Sequence, residues 1–369
     1  MNESSYPITD NTPPKQRYGC WTIGGFIILI ALNLGVLFWW VFGPDIAVSA
    51  WSVEGSISSL TFTPDNQLLA IPGRGISQHP LSVSFYNVQN GMKVRELAGP
   101  DTACITFSSD GRLLAGGGMD GIVRIWSMPE GQLIAELERH TSAVSSIAFS
   151  SNGQLLLSSG MKSDVHLWDV STRTLLRTYH TPADSIITHV ALSPDGRFVT
   201  AGGIGGMWLW NAQDGRLLRE VPSSVVAFSA DSQLMITGDE LLRVDDGSVV
   251  QDYRHSKQYG QRFDIAISPD GQLFSSAVRP IGSGVGLLWK EQVPIYLHRI
   301  SDGTRMQSLR GHRDGVIGLA FSPDGRLVAT AGNDGMVRIW PVGIFWPQRL
   351  IIFGLVVALQ LFIVRRMAS

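Results

Sequence analysis

Cysteine is nearly absent: the chain has two in 369 residues, Cys20 and Cys104. They lie far apart in unlike surroundings, so neither a disulfide framework nor a cysteine-based metal site can be built. Charge is also scarce. Charged residues make up 16% of the chain, against about 25% in typical soluble proteins. Twenty-nine basic residues face thirty-one acidic ones, for a formal net charge of −2. Nothing in that balance attracts phosphates over a distance, which excludes nucleic-acid binding as the main business. No glycine-rich phosphate loop, paired-histidine metal motif or Gly-x-Ser-x-Gly elbow occurs. What the chain does have is 44% apolar residues, 40 glycines and 18 prolines, with no low-complexity tract. So many turn formers describe a fold of tight turns and argue against a long helical bundle.

Two runs absorb the apolar excess. Trp21 to Phe42 carries no charge, and its roughly 33 Å as a helix exceeds a hydrocarbon core of about 30 Å. Val48-Ser49-Ala50 resembles a cleavage site, but the run is longer than the roughly 7–15 apolar residues of a signal peptide. The second run, Ile344 to Val364, is interrupted by Pro347, Gln348 and Arg349. It spans a membrane if Phe345, Trp346 and Arg349 lie at the interface and Arg349 snorkels. Lys15 and Arg17 precede the first run, and Arg365 and Arg366 follow the second. Basic residues at both outer ends place both tails in the cytoplasm and the middle segment outside it, most simply at a plasma membrane. The one Asn-x-Ser/Thr sequon, at Asn2, falls in a tail. Asn33, inside the first run, offers a hydrogen bond to its own copy, which admits a homodimer through that span.

Between the runs lies a repeat. An apolar residue followed by a turn occurs seven times: Phe62-Thr-Pro-Asp, Phe107-Ser-Ser-Asp-Gly, Phe149-Ser-Ser-Asn-Gly, Leu192-Ser-Pro-Asp-Gly, Phe228-Ser-Ala-Asp-Ser, Ile267-Ser-Pro-Asp-Gly and Phe321-Ser-Pro-Asp-Gly. The steps are 45, 42, 43, 36, 39 and 54 residues. A short apolar run follows each turn, then in most repeats glycines and an alternating strand ending in Trp. Asp-Gly and Asn-Gly supply the positive φ that tight hairpins need, so each period reads as a four-stranded antiparallel unit.

These features resemble the WD40-repeat β-propeller family. Val123-Arg-Ile-Trp126, His166-Leu-Trp-Asp169, Trp208-Leu-Trp-Asn211 and Val337-Arg-Ile-Trp340 stand where the family carries its Trp-Asp motif, and Gly311-His312 matches its Gly-His pair. The resemblance covers about residues 46–342. It implies an all-β, seven-bladed propeller flanked by two transmembrane helices: tail 1–20, span 21–43, propeller 46–342, span 344–364 and tail 365–369. In blades one, five and six, Tyr86, Leu242 and His298 replace the Trp. The seventh repeat lacks a fourth strand, and Ile46–Trp51 has the character of one. The resemblance therefore implies that this N-terminal strand closes the ring, with the strand-one-to-two and three-to-four turns toward the bilayer.

His312, Thr330, Asp334 and Trp340 invite a nucleophile, base and acid reading. The family resemblance implies instead a structural network, in which Asp and Thr bind the His and the His reaches the Trp indole. It recurs in part as His140, Ser158 and Trp168, and as His180, Thr200 and Trp210, with Lys162 and Ile204 at the Asp position. A packing device repeats with decay, whereas a catalytic site is expected once. His189 and Asp264 fall on the expected innermost strands, and two such groups are few for a channel enzyme. Neither a cofactor nor a metal is implied. The expected function is a non-enzymatic, membrane-anchored scaffold presenting a protein-binding surface to an unidentified protein partner. A propeller enzyme or a small-molecule sensor using the central channel is the alternative. The candidate partner-binding residues are Val285, Leu287, Leu288 and Trp289, in an enlarged blade-six loop at 279–293, and His79 in the blade-one loop Gly73–Pro80.

Overall fold

The computed structural model describes residues 47–342, apart from 54, 75–82, 100, 163, 183–184, 224–225, 238–239, 253–261, 279–292 and 314. Among the described residues no helix is long and apolar enough to cross a membrane. The two apolar runs and their tails, Asn33 included, lie outside the described residues, as do His79, Val285, Leu287, Leu288 and Trp289.

The strands pair into seven antiparallel sheets. Each repeat folds locally into one sheet, with strands a to d running outward. The first sheet covers 56–97, and the next five cover 102–138, 144–180, 186–221, 226–252 and 262–312. The seventh takes three strands from 316–341 and its outermost from the N-terminus, where Ser49–Ser52 pairs with Met336–Pro341. Ring closure by an N-terminal strand is thus present in the backbone pairing. The innermost strands touch in circular order, blade one to blade seven and back to blade one. Blade one departs from the four-stranded expectation. Its innermost strand is split into Ser56–Ile57 and Thr61–Phe62, both paired to Leu68–Arg74.

The hairpin chemistry explains why each repeat folds where it does. In blade two, Ser108 Oγ donates to Asp110 Oδ1 (2.6 Å) and accepts from Leu113 N (3.0 Å), while Asp110 Oδ1 takes Arg112 N (3.0 Å). The same hydroxyl-to-carboxylate bond recurs at Thr63–Asp65, Ser193–Asp195, Ser229–Asp231, Ser268–Asp270 and Ser322–Asp324, with Asn152 in the acceptor role in blade three. These bonds hold carboxyls such as Asp110 and Asp231 below their usual range. The next residue sits at positive φ. It is glycine in five turns, but Asn66 (61°) in blade one and Ser232 (59°) in blade five.

No core lies at the centre of a sheet. Seven apolar clusters each combine residues from two adjacent blades, such as Ile57, Leu69 and Tyr86 with Val337 and Ile339, or Leu297 and Leu309 with Val328 and Trp340. A blade alone would leave both faces wet, so burial is achieved only by stacking. The outer strands add a second contact. Arg95, Arg177 and Arg219 lie against Gly131, Gly215 and Gly247, the positive-φ glycines in the outer hairpin turn of the following blade. At the closure Trp51 takes that place over Gly91 and stacks on Tyr86 at 6.3 Å.

Candidate functional site

The polar group of blade seven is assembled from two sheets. Trp340 lies on strand c and Thr330 on strand b, opposite Arg338. Asp334 stands in the turn between them, and His312 is the last residue of blade six's outer strand, Arg305–His312. Trp340 Nε1–H donates to Thr330 Oγ1 at 2.9 Å, Thr330 Oγ1 lies 2.8 Å from His312 Nε2, and His312 Nδ1 lies 2.9 Å from Asp334 Oδ1. One assignment of protons satisfies every member. The indole donates to the hydroxyl, the hydroxyl to Nε2, and Nδ1–H to the carboxylate. Arg338 Nη1 adds a bond to Asp334 Oδ2 at 3.0 Å; in this assignment its 2.8 Å approach to His312 Nδ1 sets two donors side by side and is not a hydrogen bond. Burial lowers the His312 pKa against the pull of Asp334. Burial works to raise Asp334, but the His312 hydrogen bond leads the contributions that outweigh it and hold the carboxyl below its usual range.

This corrects one expected contact: the histidine does not reach the indole, because the Thr330 hydroxyl stands between them. A hydroxyl can accept and donate at once, which neither ring can do through one atom. The resulting hydroxyl, imidazole and carboxylate chain has the connectivity of a catalytic triad. Its nucleophile is sealed, however. Thr330 and His312 are both 0% exposed, and the indole N–H occupies the side of the hydroxyl that a substrate would need.

Blade three repeats the chain and truncates it. Trp168 Nε1–H donates to Ser158 Oγ (2.9 Å), which lies 2.8 Å from His140 Nε2. Lys162 holds the Asp position, so the relay ends at the imidazole. His166, where blade seven has Arg338, faces His140 with ring centroids 4.3 Å apart. Burial, and then the neighbouring His166, pushes the His140 pKa down to about 4.

Blade four does not assemble the expected set. His180 Nδ1 pairs instead with Asp164 Oδ1 at 2.8 Å, on the exposed end of blade three. Thr200 donates to Ala191 O (3.3 Å). The reason is register. Thr330 and Ser158 stand opposite the residue two before the Trp, but in blade four it is Ala201 that faces Trp208, and Thr200 faces Leu209. The hairpin is one residue shorter, which turns Thr200 to the other face of the sheet. Trp208 is 1% exposed, and its indole nitrogen has no hydrogen-bond partner among the described residues.

Blade two uses ions instead. Arg124 spans Asp120 Oδ2 (2.7 Å) and Glu136 Oε1 (2.8 Å). Sequence reasoning missed this group, although Asp-x-x-x-Arg occurs in both blade two and blade seven (Asp120/Arg124 and Asp334/Arg338). On the innermost strands, His189 is half-buried, with Nδ1 2.9 Å from Thr188 Oγ1 and a pKa pushed down to about 4 by burial. The side chain of Asp264 lies outside the description. Among the described residues no cluster of three His, Cys, Asp or Glu side chains could hold a metal. Burial pushes the free thiol of Cys104 up to about 12.

Comparison with known proteins finds similar sequences and a similar fold. A family model described as WD domain, G-beta repeat matches residues 91–127, 131–169, 173–210 and 303–341. Telomerase protein component 1 of Rattus norvegicus is 29% identical over 308 residues, 78% of this chain and 11% of that protein. Periodic tryptophan protein 2 of Arabidopsis thaliana is 26% identical over 266 residues, 66% of this chain and 29% of that protein. The chain thus corresponds to under a third of either relative's length. A chain in the crystal structure of a mitotic checkpoint complex superposes with a TM-score of 0.68 at 20% identity, over 81% of this chain and 96% of that one. Sequence model, blade pairing and fold likeness agree that this chain carries WD40 repeats closed into a seven-bladed β-propeller.

Proposed function

We propose that the protein is a non-enzymatic WD40 scaffold, held in a plasma membrane by residues 21–43 and 344–364, which presents its propeller outside the cytoplasm to a protein partner. The observation that carries the scaffold reading is the sealing of the His312, Thr330 and Asp334 chain. The one triad-like arrangement among the described residues is consumed in joining blade six to blade seven. The structural roles of His312, Thr330, Asp334, Trp340, His140, Ser158 and Trp168 are part of this reading. Support for protein recognition comes from the same fold in a mitotic checkpoint complex, an assembly of proteins. Membrane attachment rests on the two apolar runs and the basic residues at their outer ends.

Topology and attachment are tested together. Membranes from expressing cells, washed in alkaline carbonate, should retain the full-length chain, and protease added outside intact spheroplasts should digest residues 46–342. Release by carbonate overturns the anchoring. Retention with protection until detergent is added overturns the orientation alone.

A further inference from the structure

Three consecutive blades carry an exposed apolar side chain at one equivalent position. Met119, Met161 and Ile204 each stand eleven residues after the turn serine of their blade, Ser108, Ser150 and Ser193. They are 37%, 45% and 64% exposed. Blades five and seven place Glu240 and Asn333 at the same offset. The backbone holds these positions firmly. Met119 N and Met161 N donate to Asp101 O and Ala143 O, both at 2.9 Å, and Asn333 N makes the corresponding bond to Gly315 O. Ile204 faces Ile186 across the strand pair, and Ile186 is exposed as well. Their backbone positions are therefore held on one face of the ring by the same bonds that build the blades, so no loop has to be ordered to present them.

Among the described residues, two cations stand open beside them at blade three. Asp120 is engaged by Arg124 and Asp164 by His180. Arg139 and Lys162 are exposed and form no ion pair among the described residues. Lys162 is pinned next to Met161, with its backbone N–H bonded to Ser142 Oγ at 3.3 Å in the loop that follows Arg139. Asp101 lies at the blade-two end, and Glu138 and Glu220 belong to outer strands.

We infer that Met119, Met161, Ile204 and Ile186 form a docking arc for a peptide segment of a partner protein. The segment carries bulky apolar anchors, with carboxylates placed to meet Arg139 and Lys162 at its middle. This rests on the scaffold reading and gives it a surface and a partner chemistry. Methionine suits such a surface because its unbranched, polarisable side chain adapts to differently shaped anchors, and the cations set orientation and association rate.

The test is selection of displayed random 16-residue peptides on the detergent-solubilised full-length chain, followed by fluorescence anisotropy with the enriched peptides. The expected peptides combine two or more large apolar residues with Asp or Glu. They should bind the combined Met119→Ser, Met161→Ser, Ile204→Ser variant at least about tenfold more weakly, with its melting temperature unchanged. In the paired Arg139→Glu, Lys162→Glu variant, selection should turn to Lys- or Arg-bearing peptides. Enriched peptides that bind both variants like the parent chain overturn the arc; if Trp289→Ala abolishes their binding, the scaffold reading stands with its site on the blade-six loop. No enrichment, with adsorption only to phosphatidylglycerol vesicles, overturns both.

Discussion

Asn66 Oδ1 accepts the backbone N–H of Asp324 at 3.2 Å, across the seam where blade seven meets blade one. Ser232 Oγ does the same for Asp195 N, at 3.1 Å, between blades four and five. Among the seven repeated turns between the first and second strands, these are the two whose positive-φ residue is not glycine. Each trades conformational ease for a side chain that ties its turn to the preceding blade.

Asn66→Gly should therefore lose only the hydrogen bond, about 1 kcal/mol. Asn66→Ala should lose the bond and also strain a left-handed backbone, for roughly 2–3 kcal/mol in total. Denaturant midpoints of the two variants test the order. Equal stability would mean that the turn relaxes out of its left-handed conformation.

Thr330→Val replaces the bridging hydroxyl with a methyl group of the same shape. It leaves the Trp340 indole N–H and His312 Nε2 buried without partners, a loss of about 1–3 kcal/mol for each group. Thr330→Ser should retain most of the stability, as Ser158 already fills this role in blade three. Thermal unfolding of the three proteins distinguishes a hydrogen-bond effect from a packing effect.

Acid should weaken the fold in two stages. His140 and His189 titrate near pH 4 in the folded chain, against 6.5 as the ordinary value. As pH falls through 6.5 the unfolded chain takes up protons that the folded chain refuses, so stability drops until about pH 4, where the folded imidazoles also protonate. Below 3.8 the lowered carboxyls, Asp334 and Asp110 among them, continue the loss. The melting temperature measured from pH 7 to 4 should fall less steeply for His140→Gln than for the parent chain. Parallel curves would show that His140 is free to protonate in the fold.

Removing residues 1–44 should leave a foldable propeller, while removing 1–54 takes away Ser49–Ser52 and uncovers both the edge of Met336–Pro341 and Gly91. The longer deletion should melt lower and aggregate. Equal solubility and stability would refute closure through this strand.

Much of this was legible because the turns and the Trp positions hold fixed offsets. Tyr86, Leu242 and His298 occupy the Trp register, opposite Leu69, Met235 and Phe274. Counting back ten residues from Trp210, the spacing of Thr330 to Trp340, reaches Thr200, whereas counting forward eight from Ser193, the spacing of Ser322 to Thr330, reaches Ala201, and the disagreement exposes the missing residue. The order of the polar chain was illegible for another reason. Sequence gives residue types, whereas the sequence spacing of Thr330 and His312 does not say which of them meets the indole. The Arg124 group was hidden because its third member, Glu136, comes from the outer strand, whose repeat signature is weakest.

The closure through Ser49–Ser52 also has a mechanical meaning. The described chain enters at Ala47 and leaves at Val342, at the same end of one antiparallel pair, in which Ser49 faces Ile339 and Ser52 faces Met336. A force drawing the two tails apart would load these rungs one after another, as a zipper is opened, while the other sheets carry no tension. The propeller would yield first at its own latch, in a local opening beside blade one.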